Sequence, residues 1–141
     1  METQPLTIRS FGEDDRAAVK ALWQVCGLTV PYNDPDADIH RAAGQPNSDI
    51  LLGVSPDGRV GATVMVGHDG HRGWLYYVAV DPALRGQGHG RAIVAAGEAW
   101  LRARHVPKAQ LLIRETNTGV RDFYAGLGWA AIPRIVMERW L

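Results

Sequence analysis

The chain has a single cysteine, Cys26, in 141 residues. An intramolecular disulfide is therefore excluded, as is any metal site built from several thiolates. There is no excess of either charge: fifteen basic and fifteen acidic side chains cancel. That balance offers no general attraction to nucleic acid or to an anionic membrane surface. No apolar run approaches the ~20 residues that cross a bilayer. Met1-Glu2-Thr3-Gln4-Pro5 lacks the basic-then-apolar order of a secretion signal. The expectation is a cytoplasmic protein with no bound metal and no membrane or nucleic-acid partner. Repeats, low-complexity tracts and linkers are missing too. The chain reads as one domain over 1–141, long enough to bury roughly 68–70% of its unfolded surface unaided.

What the chain does have is glycine at one telling place. Trp74 to Val80 is an apolar run without polar alternation, which reads as a strand buried on both faces. Asp81-Pro82 ends it, because proline has no N–H to give a ladder. Then come Arg85-Gly86-Gln87-Gly88-His89-Gly90-Arg91, followed without a break by the helix-period residues Ile93, Val94, Gly97, Trp100 and Leu101. Strand, glycine turn and helix aim several backbone N–H groups at one point on the positive end of a helix dipole. That is an anion cradle, suited to phosphate. A dinucleotide fingerprint needs G-x-G-x-x-G and an acidic residue about twenty positions on. These glycines are one position short, and Lys108 and Gln110 occupy that region. A nucleoside-triphosphate loop needs a lysine directly after its last glycine, and none follows here.

Taken in order, Thr7 to Phe11 alternates as a first strand. A helix follows from about Glu13 to Cys26, with Gly27 suited to its C-terminal cap. A loop through Val30-Pro31-Tyr32-Asn33-Asp34-Pro35 leads into a short helix that Asp34 or Asp36 caps. Asp49–Val54 and Val60–Val66 are strands joined by the tight turn Pro56-Asp57-Gly58-Arg59. A second turn, His68 to Gly73, enters the fourth strand. The glycine loop and a helix over about 88–104 lead to a fifth strand, Gln110 to Ile113. Fourth and fifth strands are then parallel, as the ends of a βαβ unit. A short helix over about 119–127 and two strands, Trp129–Pro133 and Ile135–Trp140, finish the chain. The order is β-α-α-β-β-β-α-β-α-β-β, an α/β protein with a mixed sheet and helices on both faces.

Arg85-Gly86-x-Gly88-x-Gly90 resembles the R/Q-x-x-G-x-G/A signature of the GNAT N-acetyltransferases, and the element order is theirs as well. A second landmark is similar to that family's N-x-x-A-x-x-F-Y-x-x-x-G-F/Y/W pattern. It is carried by Asn117, Phe123, Tyr124, Gly128 and Trp129, with Val120 where alanine is usual. Leu22-Trp23, Asn33-Asp34-Pro35, Asp69-Gly70-His71-Arg72-Gly73 and Tyr76-Tyr77 further resemble its small bacterial YpeA-type branch.

The resemblance implies a GNAT fold whose fourth and fifth strands splay apart at their C-terminal ends. Acetyl-CoA, as co-substrate, would lie in the gap, its pantetheine arm on the backbone of Val78, Ala79 and Val80. Its pyrophosphate would sit on the amides from Arg85 to Gly90, through Gly86, Gln87, Gly88 and His89, with charge from Arg85 and Arg91. The implied reaction is direct attack of a primary amine on the thioester. Tyr124 would be the general acid, and Asn117 would touch the pantetheine arm or cap its helix. A phenol of ordinary pKa, about 10, is protonated at neutral pH and can give that proton to a thiolate. The general base is open among Asp34, Asp69, His71, Glu115 and water.

An acceptor entering between the loop with Tyr32, Asn33 and Asp34 and the turn with Asp69, His71 and Arg72 would meet carboxylates, an aromatic ring and a guanidinium. Those groups suit a small zwitterionic or polyamine-like amine. Helix capping and surface ion pairs account for the same residues. Two rival functions are an N-terminal or ribosomal-protein acetyltransferase and a non-catalytic acyl-CoA sensor. The chain is expected as a monomer or homodimer. Cys26 reads as a small core residue. The five tryptophans read as packing residues, with Trp74 also a candidate for lining a cleft.

Overall fold

The computed structural model describes residues 5–141. All but Pro5 of the N-terminal stretch read for a targeting signal lies outside the described residues. The chain falls into two compact units, one ending at Leu111 and the other running from Leu112 to Leu141.

The first unit carries a sheet in the order β1-β2-β3-β4-β5. The strands are β1 (Thr7–Ser10), β2 (Ser48–Val54), β3 (Val60–His68), β4 (Gly73–Val80) and β5 (Ala109–Gln110). All neighbours are antiparallel except β4 and β5, which are parallel. Helices α1 (Arg16–Val25) and α2 (Pro35–Ala42) cover one face. On that side Val19, Leu22, Trp23 and Ile39 pack with Ile50, Leu52 and Ala79 of the sheet. Helix α3 (His89–Ala103) covers the other face. There Gly97 lets the helix close on Leu75 and Val64, since a Cβ would come within 2.9 Å of a Leu75 methyl.

Local chemistry sets the element ends. The first helix begins as a 3-10 turn, Glu13–Asp15. It closes in a Schellman motif: Gly27 (φ +71°) gives its N–H to Gln24 O at 3.0 Å and Leu28 gives its N–H to Trp23 O at 2.9 Å. Of the two candidate caps of α2, Asp34 does the capping, accepting from Asp36 N at 3.0 Å. Asp36 instead pairs with Lys20 (2.7 Å) and Arg16 (3.1 Å).

Helix α4 (Thr118–Gly126) belongs to the second unit. Three expectations fail in the C-terminal region. The fifth strand is Ala109–Gln110 rather than Gln110–Ile113: its ladder with β4 ends after Gly73↔Ala109 and Trp74↔Gln110. The strands expected at Trp129–Pro133 and Ile135–Trp140 are not formed, and no strand follows Gln110 among the described residues. Alternating side chains do not make a strand without a ladder partner. Pro133 has no N–H to give one, and Arg134 N bonds Ile132 O (2.9 Å) across it, folding the run into a tight turn. Trp140, read as a packing residue, is largely exposed.

No helix among the described residues is long and apolar enough to cross a membrane.

Candidate active site

β4 does not run straight. Thr63 of β3 pairs with Ala79, but Met65 pairs with Tyr76, so β4 carries one extra residue there. That residue is a bulge, and Tyr77 sits in it with φ +49°. A tyrosine in the left-handed region is strained and persists only where its surroundings fix it. Here they do. The Tyr77 ring stacks on Trp23 with centroids 3.8 Å apart. Its hydroxyl donates to Asp38 Oδ2 at 2.7 Å. Its carbonyl accepts from Thr63 Oγ1 at 2.8 Å, and that same oxygen accepts from Trp23 Nε1 at 2.9 Å. Burial and the Asp38 carboxylate both push the Tyr77 phenol well above the usual tyrosine range.

Beyond the bulge, Asp81 N bonds Gly61 O at 2.8 Å. By alternation, the backbone of Ala79 then faces β3, while the N–H and C=O groups of Val78 and Val80 face the other way. On that side the ladder with β5 has already ended at Trp74. Of the three residues expected to offer backbone to a ligand, two therefore point outward and Ala79 does not. The Val80 carbonyl accepts from the Cys26 thiol at 3.3 Å, with the Arg85 guanidinium 3.9 Å from the same sulfur. Cys26 is thus half-buried against the core as expected, and also touches this edge.

Asp81 caps a 3-10 turn, Pro82–Leu84, and pairs with Arg59 at 2.9 Å. Leu84 is buried over Gly61, anchoring the start of the glycine loop. Gly86 (φ +79°) and Gly88 (φ +83°) take the left-handed conformation, and a Cβ built on either meets nothing within 4 Å. Gly88 is the N-cap of α3 and has no side chain to cap with. The first-turn N–H groups of His89, Gly90 and Arg91 therefore have no intrahelical partner. Nε2 of His89 is buried with no hydrogen-bond partner. Arg85 and Arg91 are exposed beside this loop.

The turn residues sort themselves by what they bond. Asp69 Oδ1 accepts from His71 N (2.9 Å) and Arg72 N (2.8 Å), and its Oδ2 accepts from Trp74 Nε1 at 3.4 Å. These N–H groups, Arg72's foremost, hold the Asp69 carboxyl below the usual carboxylate range. The Arg72 guanidinium turns back to His71 O (3.1 Å). A cleft of about 230 Å³ opens beside this turn, lined by Met65, Asp69, Trp74 and Tyr76 among others. Tyr32, Asn33, Asp34, His71 and Arg72 do not line it. Tyr76 was not singled out in the sequence as a site residue. The Trp74–Val80 run was expected to be buried on both faces, and Tyr76 is instead exposed on the cleft side.

In the second unit, Asn117 is the N-cap of α4, with Oδ1 accepting from Val120 N at 3.2 Å. The helix ends in another Schellman motif: Trp129 N to Tyr124 O (3.0 Å), Gly128 N to Ala125 O (3.1 Å), with Gly128 at φ +93°. Trp129 also meets the Tyr124 ring edge-on at 5.7 Å, and Phe123 does so at 5.0 Å. Tyr124 is buried, and burial pushes its phenol up to about 12.

A mixed sheet with one short parallel pair, a bulged fourth strand and a glycine loop opening the following helix defines an α/β architecture. The model of the Acetyltransferase (GNAT) family matches residues 16–129, and the chain belongs to that family. An acetyltransferase of Pectobacterium atrosepticum is 38% identical over 134 residues, covering 95% of this chain and 94% of its own. One from Yersinia pseudotuberculosis is 36% identical over the same span. Among solved structures, the aminoglycoside N-acetyltransferase AAC(6')-Iy in complex with CoA shares the fold at TM-score 0.81 and 16% identity. That match covers 99% of this chain and 97% of the other.

Proposed function

We propose that this chain transfers the acetyl group of acetyl-CoA to a primary amine of a small molecule, with both substrates bound together. The observation that carries the reading is the outward-facing edge at Val78 and Val80, running straight into an open glycine cradle. The residues fit the carrier: Gly86 and Gly88 leave open the space a Cβ would fill, and His89 brings a buried nitrogen that lacks a partner. The amides from Gly86 to Arg91 would hold a pyrophosphate, with Arg85 and Arg91 adding charge. Val78 and Val80 would pair with the amide-bearing arm as one more strand. Acetyl-CoA supplies the activated acyl group and the leaving thiol.

The amine nitrogen loses one proton and forms the C–N bond as the C–S bond breaks. Tyr124 Oη gives its proton to the departing sulfur and recovers one from the acylated nitrogen, so one proton is released overall. A phenol raised to about 12 by burial is fully protonated at neutral pH, the state a general acid needs. The proposed location is the cytoplasm.

A thiol-release assay against amino acids, monoamines, polyamines, aminoglycosides and peptides tests the proposal. Release with a small amine is expected. Release with peptides alone would make the chain a protein acetyltransferase, and acetyl-CoA binding without release across every panel would make it a sensor.

A further inference from the structure

We infer that the acceptor is a small monoamine with an apolar ring-sized body, an arylalkylamine in class, held in the cleft at the turn end of β3 and β4. The inference rests on the acetyltransferase reading above. The cleft's about 230 Å³ falls below the roughly 300–1,000 Å³ of sites for drug-sized ligands, so it encloses a body of about one ring and leaves anything larger outside its walls. Its apolar walls are Met65 of β3 and the Trp74 and Tyr76 rings, 18° from parallel with centroids 6.3 Å apart.

Its polar atoms are mostly spoken for. Ser48 Oγ donates to Ala42 O (2.9 Å), and Asn47 Nδ2 donates to His68 O (3.3 Å). Asp69 is the one carboxylate in the lining. Its carboxyl is held ionised by the turn amides, and its Oδ2 carries one long bond where the oxygen has two lone pairs. One anion beside two aromatic faces is the chemistry that recognises a single ammonium. No lysine or arginine lines the cleft, so a substrate carboxylate would meet no permanent cation there, only the His68 ring and neutral donors, with Asp69 against it. A polyamine would leave its further charges against apolar walls. The zwitterionic or polyamine-like acceptor suggested by the turn's sequence gives way to a monoamine. The cleft lies on the same strand as the open edge: Tyr76 is two residues from Val78, across the Tyr77 bulge.

The test is calorimetric titration of the full chain with phenethylamine, its neutral isostere 2-phenylethanol, and spermidine, with and without coenzyme A. Phenethylamine is expected to bind at least about tenfold more tightly than either of the others. Asp69→Asn, whose side-chain oxygen still accepts the turn amides, should abolish the preference for the amine over the alcohol. Tyr76→Leu should weaken both ring-bearing probes. No binding of phenethylamine, equal or tighter binding of spermidine, or an amine preference that survives Asp69→Asn overturns the inference. Thiol release separates it from the parent reading. Phenethylamine that binds, with no release from any panel amine in the presence of acetyl-CoA, leaves the cleft assignment standing and removes the reaction. Release with spermidine or an aminoglycoside but not with phenethylamine does the reverse.

Discussion

The indole of Trp23 lies flat on the phenol of Tyr77, 13° from parallel with centroids 3.8 Å apart, and Thr63 ties the indole to the Tyr77 backbone carbonyl. Thr63 is fully buried and serves as acceptor to the indole and donor to the Tyr77 carbonyl. Thr63→Val keeps the shape and strands both partners. The expected cost is about 1–3 kcal/mol for each polar group left unpaired, read as a lower denaturant midpoint. An unchanged midpoint would mean that water or a rearranged bulge satisfies these groups.

Gly88 and Gly58 make a matched pair. Both have positive φ, +83° and +86°, and a Cβ on either meets open space. Alanine at each should cost a similar ~1–2 kcal/mol of backbone strain. Only Gly88→Ala puts a methyl group into the cradle. It should raise the acetyl-CoA KM about tenfold or more, while Gly58→Ala leaves KM alone. Steady-state kinetics on both variants decides the matter, and equal KM values would move the carrier away from the loop.

Tyr124→Phe removes the proton and little else, since the ring contacts to Trp129 and Phe123 stay. Turnover is expected to fall by about 10²-fold, the low end for general acid catalysis, with acetyl-CoA binding unchanged. The pH dependence carries a sign. In the proposed reaction the protonated phenol is the working form, and burial raises its pKa to about 12. Activity should therefore not decline on this group's account as pH rises to 10. A fall centred near pH 8 that vanishes in Tyr124→Phe would contradict the burial.

Asp15 holds Arg9 through two contacts, 2.8 and 2.9 Å, and accepts from Gly12 N at 2.8 Å. The Arg9 hydrogen bond is the main reason its carboxyl lies below the ordinary value. A depressed carboxylate pKa stabilises the fold above the unfolded value of about 3.9 and loses that stabilisation as pH falls through the folded pKa. Melting temperatures between pH 4 and pH 2 should therefore fall less steeply in Asp15→Asn than in the parent chain. Parallel curves would show that Asp15 takes no part in acid unfolding.

Sequence legibility followed the range of the forces involved. The glycine loop, the Gly27 and Gly128 helix ends, a cap at Asp34 or Asp36 and both hairpin turns are set by residues close together in the chain, and these were readable. The Tyr77 bulge was not. Its left-handed backbone sits on a residue with no preference for it, and Trp23, Asp38 and Thr63 impose it from 14 to 54 residues away. The cleft beside Tyr76 inherits that obscurity, because the bulge sets where the flanking side chains face. Asp36 looked like a cap and became an ion-pair partner once α1 brought Lys20 and Arg16 to it. The missing C-terminal strands show the opposite error. A period-two pattern proposes which side chains share a face and says nothing about whether a neighbouring ladder exists.

The central claim is that the backbone from Val78 to Arg91 receives acetyl-CoA, and titration of the intact chain with that thioester in a calorimeter tests it most directly. The account predicts a saturable heat, with a matching rise in melting temperature worth about 2.7 kcal/mol at a hundredfold excess over Kd, and loss of both in Gly88→Ala. No heat and no thermal shift at millimolar acetyl-CoA would contradict it.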